Sequence, residues 1–126
     1  MSRGETGESL PRWEVVFYET AGGRRPVTEF LEKGCTHRQA AKLLDTLTML
    51  EEAGFSLGPP WLKKVDEDLW ELRVQADKAR LRVLFYRYGN RFVLLHGLKK
   101  QRQRLSESDL RTARGRCKDY RTRATG

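Results

Sequence analysis

The chain lacks most of the devices by which small catalytic or secreted domains are recognised. Only two cysteines occur, Cys35 and Cys117, far apart and in no Cys-x-x-Cys pattern. That spacing argues against a disulfide framework, and two free thiols fit a reducing cytosol. The histidines, His37 and His96, stand at no zinc-ligand spacing from the cysteines, so neither a metal nor another cofactor is expected. No Gly-rich loop precedes a Lys-Ser/Thr pair, and no nucleophile elbow is present, which removes the common phosphate-binding and acyl-transfer signatures. No apolar run reaches the roughly 18 residues of a membrane span. Residues 1–11 are polar and glycine-containing, without the apolar centre of a signal peptide, and read as a flexible tail.

What is abundant is positive charge. The 126 residues carry a formal charge of +8, and the length suits one domain, taken here as residues 12–120, with 121–126 expected to fray. From Lys99 onward ten Lys and Arg residues face three acids, so this last quarter holds seven of the eight net charges. A basic balance of that kind favours phosphate backbones and acidic partners.

Hydrophobic periodicity divides the chain into seven elements. Arg12 to Glu19 alternates, with Trp13, Val15 and Phe17 on one side, and reads as a strand. Pro26 suits the first position of a short helix that Gly34 ends. Thr36 and Gln39 have capping-box spacing ahead of a helix with Leu43, Leu44, Leu47 and Leu50 on its apolar stripe, stopped by Gly54. Phe55 to Asp68 reads as a loop holding Pro59-Pro60, anchored by Trp61 and Leu62. Three strands follow, at Leu69–Val74, Arg80–Tyr86 and Arg91–Lys100, joined at Asp77-Lys78 and Gly89-Asn90. Ser106 to Asp109 is a second cap pattern, and Leu110, Ala113, Cys117 and Tyr120 stripe a final helix. The order β-α-α-β-β-β-α is an α+β fold.

Alternation assigns the strand faces. Trp70, Leu72 and Val74, with Leu81, Val83 and Phe85, form the buried set. Glu71, Arg73, Arg80, Arg82, Leu84 and Tyr86 form the opposite set, read as an open surface. The strand before Lys99 and Lys100 is apolar on both faces, so alternation does not place His96. Cations and aromatics on one sheet face suit RNA. Equally, Glu71 with Arg73 or Arg82 suits a solvated face held by ion pairs worth about 0–1 kcal/mol each. His96 fits either a general acid–base role or a packed strand position, and Tyr86 either a base-stacking role or cover for the sheet edge.

These residues carry a resemblance. Leu69-Trp70-Glu71-Leu72-Arg73, Arg82-Val83-Leu84-Phe85, Val93-Leu94-Leu95-His96-Gly97-Leu98-Lys99-Lys100 and Ala113 to Tyr120 resemble the RelE/ParE toxin superfamily, in its HigB-like, phage-derived Gp49-like branch. The resemblance implies a RelE-like α+β fold: a twisted, antiparallel-rich sheet packed on a helical hairpin, with a C-terminal helix. It implies the toxin of a type II toxin–antitoxin system, a metal-independent, ribosome-dependent mRNA endoribonuclease of the cytoplasm. Its partners would be mRNA on the ribosome and a HigA-like helix-turn-helix antitoxin. The site residues it implies are Arg73, Arg82, Lys99 and Lys100. Beside these, the chemistry of the residues themselves suits His96 or Glu71 as acid or base and Tyr86, Arg80, Arg102 and Arg104 against RNA. Glu71 stands where some relatives have lysine, and Gln101 to Asp109 lacks the tyrosine several relatives use. The rival expectations are a non-catalytic nucleic-acid- or partner-binding phage-derived protein and a ParE-like gyrase poison.

Overall fold

A computed structural model describes residues 12–99 and 104–125. Lys100 and Arg102 therefore lie outside the described residues. Five strands form one sheet: β1 (Glu14–Phe17), β2 (Leu62–Lys64), β3 (Trp70–Ala76), β4 (Ala79–Tyr88) and β5 (Arg91–Lys99). Their order across the sheet is β1-β5-β4-β3-β2. All neighbours are antiparallel except β1, which runs parallel to β5 with Val16 opposite Val93. The helices are α1 (Pro26–Glu29), continued by a π-turn over Phe30–Gly34, α2 (His37–Ala53) and α3 (Glu107–Thr125).

Local chemistry accounts for the punctuation. Pro26 begins α1. Thr36 caps α2 by accepting from the Gln39 amide, while Gln39 accepts from the Thr36 amide, the reciprocal box expected from their spacing. Gly54 closes α2 at φ 60° and ψ −142°, a conformation that glycine alone adopts without strain. Asp77 and Lys78 both have positive φ, as a two-residue hairpin turn requires. The segment expected as a loop before β3 also contains a 3₁₀ turn (Gly54–Leu57) and the three-residue β2. At three residues, β2 is too short for alternation to show. It pairs Lys63 with Glu71, so both point to the same side of the sheet.

The sheet is covered on both faces. On one side Val27, Leu43, Leu47 and Leu50 of the α1–α2 hairpin pack on Leu72, Val74, Leu81, Val83, Phe85, Phe92 and Leu94. On the other, α3 lays Ala113 and Cys117 against Leu69, Leu84, Tyr86, Val93 and Leu95, with Leu110 and Tyr120 at the margin. Burying each such leucine, valine or phenylalanine is worth about 1.5–3 kcal/mol. This second layer corrects the expectation of an open face for Glu71, Arg82, Leu84 and Tyr86, all of which are buried. It also explains why β5 is apolar throughout. Nor does α3 fray at Arg121. It runs to Thr125, held by Arg123 on Asp119 and on the Glu19 carbonyl.

A bulge in β5 decides where the far end of that strand points. Phe85 lies opposite Leu94, but Leu84 lies opposite His96, which leaves Leu95 as an extra residue. Beyond the bulge the alternation is inverted. His96 and Leu98 turn to the α3 side, and Gly97 and Lys99 to the hairpin side. Gly97 sits directly under Phe30, where a Cβ would come within 2.5 Å of the ring.

Candidate functional site

Beside the N-terminal end of α3 the second face is not filled. A cleft of about 550 Å³ opens there, lined by Lys63, Lys64, Arg104 and Glu107, with Glu71 in its wall. Glu71 is almost fully buried, with 1% of its side chain exposed. Arg73 and Arg82 are cross-strand partners on β3 and β4, and both reach this carboxylate. The Arg73 Nε donates to Oε1 at 2.8 Å, and the Arg82 Nε stands 2.9 Å from Oε2. The second contact is an ion pair in which the N–H is not aimed along the hydrogen-bond line. Burial pulls the Arg82 pKa below its ordinary value and the Glu71 charge opposes that pull. A guanidinium nonetheless stays protonated in proteins.

The two arginines differ in access. Arg82 is fully buried, whereas 28% of the Arg73 side chain is exposed. Arg73 and Arg80 together border a smaller hollow of about 300 Å³ against Pro60 and Trp61. The exposed cations around this part of the molecule are therefore Lys63, Lys64 and Arg104, with Arg73 and Arg80 half-exposed.

His96 lies nearby but is tied down. Its Nε2 is 2.9 Å from Oδ1 of Asp109, and its Nδ1 is 3.5 Å from Nη1 of Arg116. Asp109 is itself buried. Its other oxygen accepts from the Ser106 hydroxyl at 2.7 Å, while the Asp109 amide donates back to that hydroxyl. The Ser106–Asp109 cap of α3 thus continues through His96 into β5, an arrangement that fixes the ring.

Of the residues singled out from sequence, Glu71, Arg73 and Arg82 come together, and Arg104 lines the same cleft as Glu71. Arg80 is two residues along the same face. Lys99 does not join them, because the bulge turns it to the hairpin side, where its Nζ donates to Gln39 Oε1 at 2.9 Å. Tyr86 is 2% exposed beneath α3, which corrects its expected availability to a base. Burial also raises its phenol pKa. Sequence reasoning did not single out Lys63 and Lys64 for the site. Their signal was present, a Lys pair directly after the anchors Trp61 and Leu62.

Residues 29–118 match the family model described as Phage derived protein Gp49-like (DUF891). The chain belongs to this family. It stands accordingly in the Gp49-like branch of the RelE/HigB toxin superfamily that its sheet residues resemble. No curated protein matches the chain. Among the described residues no helix of this Gp49-like protein is long and apolar enough to cross a membrane, and no three His, Cys, Asp or Glu side chains gather as metal ligands.

Proposed function

We propose that this Gp49-like protein is the toxin of a type II toxin–antitoxin system and cleaves mRNA in the cytoplasm as a ribosome-dependent endoribonuclease. One observation carries the reading: a buried carboxylate, Glu71, held between Arg73 and Arg82 in the wall of a cleft rimmed by Lys63, Lys64 and Arg104. A phosphate entering the cleft draws Arg73, the accessible guanidinium, off Glu71 and onto its non-bridging oxygens. That frees Oε1 to take the proton of the RNA 2′-hydroxyl. The 2′-oxygen bonds to phosphorus, the bond to the 5′-oxygen breaks, and the leaving oxygen takes a proton from the Lys63 ammonium, which shares the Glu71 side of the sheet, whereas the Lys64 Nζ lies 5.9 Å over Trp70. The products are a 2′,3′-cyclic phosphate and a 5′-hydroxyl end. Arg73 meets the charge that accumulates on the phosphoryl oxygens. Arg82 acts through Glu71, as a positioning residue, by holding Oε2. DNA, which has no 2′-hydroxyl, is bound without scission. A HigA-like helix-turn-helix antitoxin is the protein partner that family membership supports.

The test is to add the purified protein to ribosomes carrying mRNA and to map the new ends. Wild type yields cyclic-phosphate and 5′-hydroxyl ends. Arg73→Ala abolishes them at an unchanged melting temperature, and Glu71→Gln abolishes them at a lowered one, because it removes the carboxylate beside the buried Arg82 guanidinium. Intact transcripts with folded wild-type protein, or full activity in Glu71→Gln, refute the assignment. Arg82→Ala is the wrong probe. It leaves a buried carboxylate short of a cation, a loss of about 3–5 kcal/mol that compromises the fold itself.

A further inference from the structure

Two further hollows lie beyond the cleft, lined by the residues that follow Val65 and by the next turns of α3. One, of about 530 Å³, lies between the turn Asp66–Leu69 and the α3 residues Arg114, Lys118 and Arg121. The next, of about 400 Å³, shares Glu67, Asp68 and Arg121 with it and ends among Phe55, Trp70 and Tyr88. The helix side of this groove is a basic stripe. Arg111, Arg114, Lys118 and Arg121 follow one another at three, four and three residues, so they share one face of α3. All four are exposed. They extend over about 15 Å of helix. At the far end Phe55 and Trp70 stack obliquely at 4.7 Å, and Tyr88 and the exposed Arg87 stand beside them.

We propose that this groove is a track for single-stranded RNA, in which the α3 stripe takes successive phosphates and the aromatic pocket beside Trp70 and Tyr88 takes a base. The inference rests on the endoribonuclease reading for the identity of the strand, and it extends that site by a second, non-cleaving segment. Cations along a groove with an aromatic platform at its end are the two components of sequence-tolerant single-strand binding. Both aromatic faces and guanidinium forks are therefore supplied by the hollows that follow the Glu71 cleft along α3.

The groove also holds its own competitor. Asp66 accepts from Arg114 at 2.6 Å, and Asp68 lies 3.5 Å from Arg121. These carboxylates stand where phosphates would. Exposed pairs of this kind hold weakly, so a strand with several phosphates displaces them. Neutralising the acids consequently has the opposite effect from neutralising the cations.

The test uses a fluorescent, uncleavable 2′-O-methyl oligoribonucleotide and fluorescence anisotropy across a salt series, with thermal melts to confirm folding. Arg111→Gln combined with Lys118→Gln weakens binding and lowers the slope of log affinity against log salt by about 1.4, at about 0.7 for each single-strand phosphate left unneutralised. Asp66→Asn combined with Asp68→Asn tightens binding. Tyr88→Ala weakens it by about five- to hundredfold if the ring stacks on a base, and Tyr88→Phe retains it. Unchanged affinity and slope in the folded cation variant overturn the track, as does weaker binding in the acid variant. Scission is scored separately on ribosome-bound mRNA. Normal scission with no effect of groove variants on RNA affinity refutes the track alone. Groove-dependent binding without scission by wild type refutes the nuclease reading and leaves the track as a binding site.

Discussion

Tyr86 and Glu71 show how far a side chain's role depends on what lies above it. Both occupy the face that alternation assigns away from the hairpin, and both are covered, Tyr86 by α3 and Glu71 at the cleft wall. The Tyr86 hydroxyl is buried with no hydrogen-bond partner among the described residues, while its ring meets Tyr88 and Tyr120 edge-on and the Arg121 guanidinium lies 5.5 Å over it. Tyr86→Phe keeps those ring contacts and removes an unsatisfied polar atom. It is expected to stabilise the protein by about 1 kcal/mol, read as a higher denaturation midpoint, because a buried hydroxyl without a partner costs its desolvation. A lower midpoint in Tyr86→Phe means that the hydroxyl contributes a stabilising contact. The grouping of Glu71, Arg73 and Arg82 was legible from the period of two in β3 and β4. Their burial was not, since an acid between two arginines looks the same in sequence whether it faces water or a helix.

Among the elements, β5 and α3 carried the missing information. A strand with Phe92, Val93, Leu94 and Leu95 in succession has no polar face, and α3 has an apolar stripe in search of a surface. Each implies the other, and together they imply a third layer. What no pattern disclosed was the extra residue at Leu95. Without it Lys99 would fall on the side of Arg82; with it Lys99 bonds to Gln39 at the start of α2. The same inversion turns Gly97 toward the hairpin, where Phe30 fills the place a side chain would take. Gly97→Ala is therefore expected to cost about 1–3 kcal/mol through overpacking, measured by denaturant unfolding. An unchanged midpoint would mean that Phe30 moves aside freely. Strand β2 went unread for a different reason, because three residues following two prolines give no period to count.

For the molecule as a whole, α3 is also tied by polar contacts to the segment that follows β1. At the distal end of α3 the Tyr18 hydroxyl donates to Asp119 at 2.6 Å, and Arg123 binds the same carboxylate. Arg123, and after it Tyr18, hold the Asp119 pKa below its ordinary value. The stability this adds is present above the unfolded carboxyl pKa, near 4, and is lost as pH falls through the lower folded value. Burial, and after it Asp119, raise the Tyr18 pKa. That contribution is present below about pH 10 and is lost as pH rises through the raised folded value. The end of α3 is thus expected to loosen in acid below about pH 4 and again in alkali, seen as faster amide exchange over residues 119–125. Asp119→Asn should remove the acid limb of that profile. An acid limb that persists in Asp119→Asn assigns it to another group.

The single parallel pairing has a consequence for the order of assembly. The edge strand made first by the ribosome, β1, finds its neighbour only in the last strand, β5, some 77 positions later at the register Val16 to Val93. The intervening hairpins can close among themselves as they emerge, but the described sheet has no complete width until β5 has been synthesised. Long-range closures of this sort are slow relative to local ones. A newborn copy therefore passes an interval in which it exists as a chain without yet possessing its finished tertiary structure.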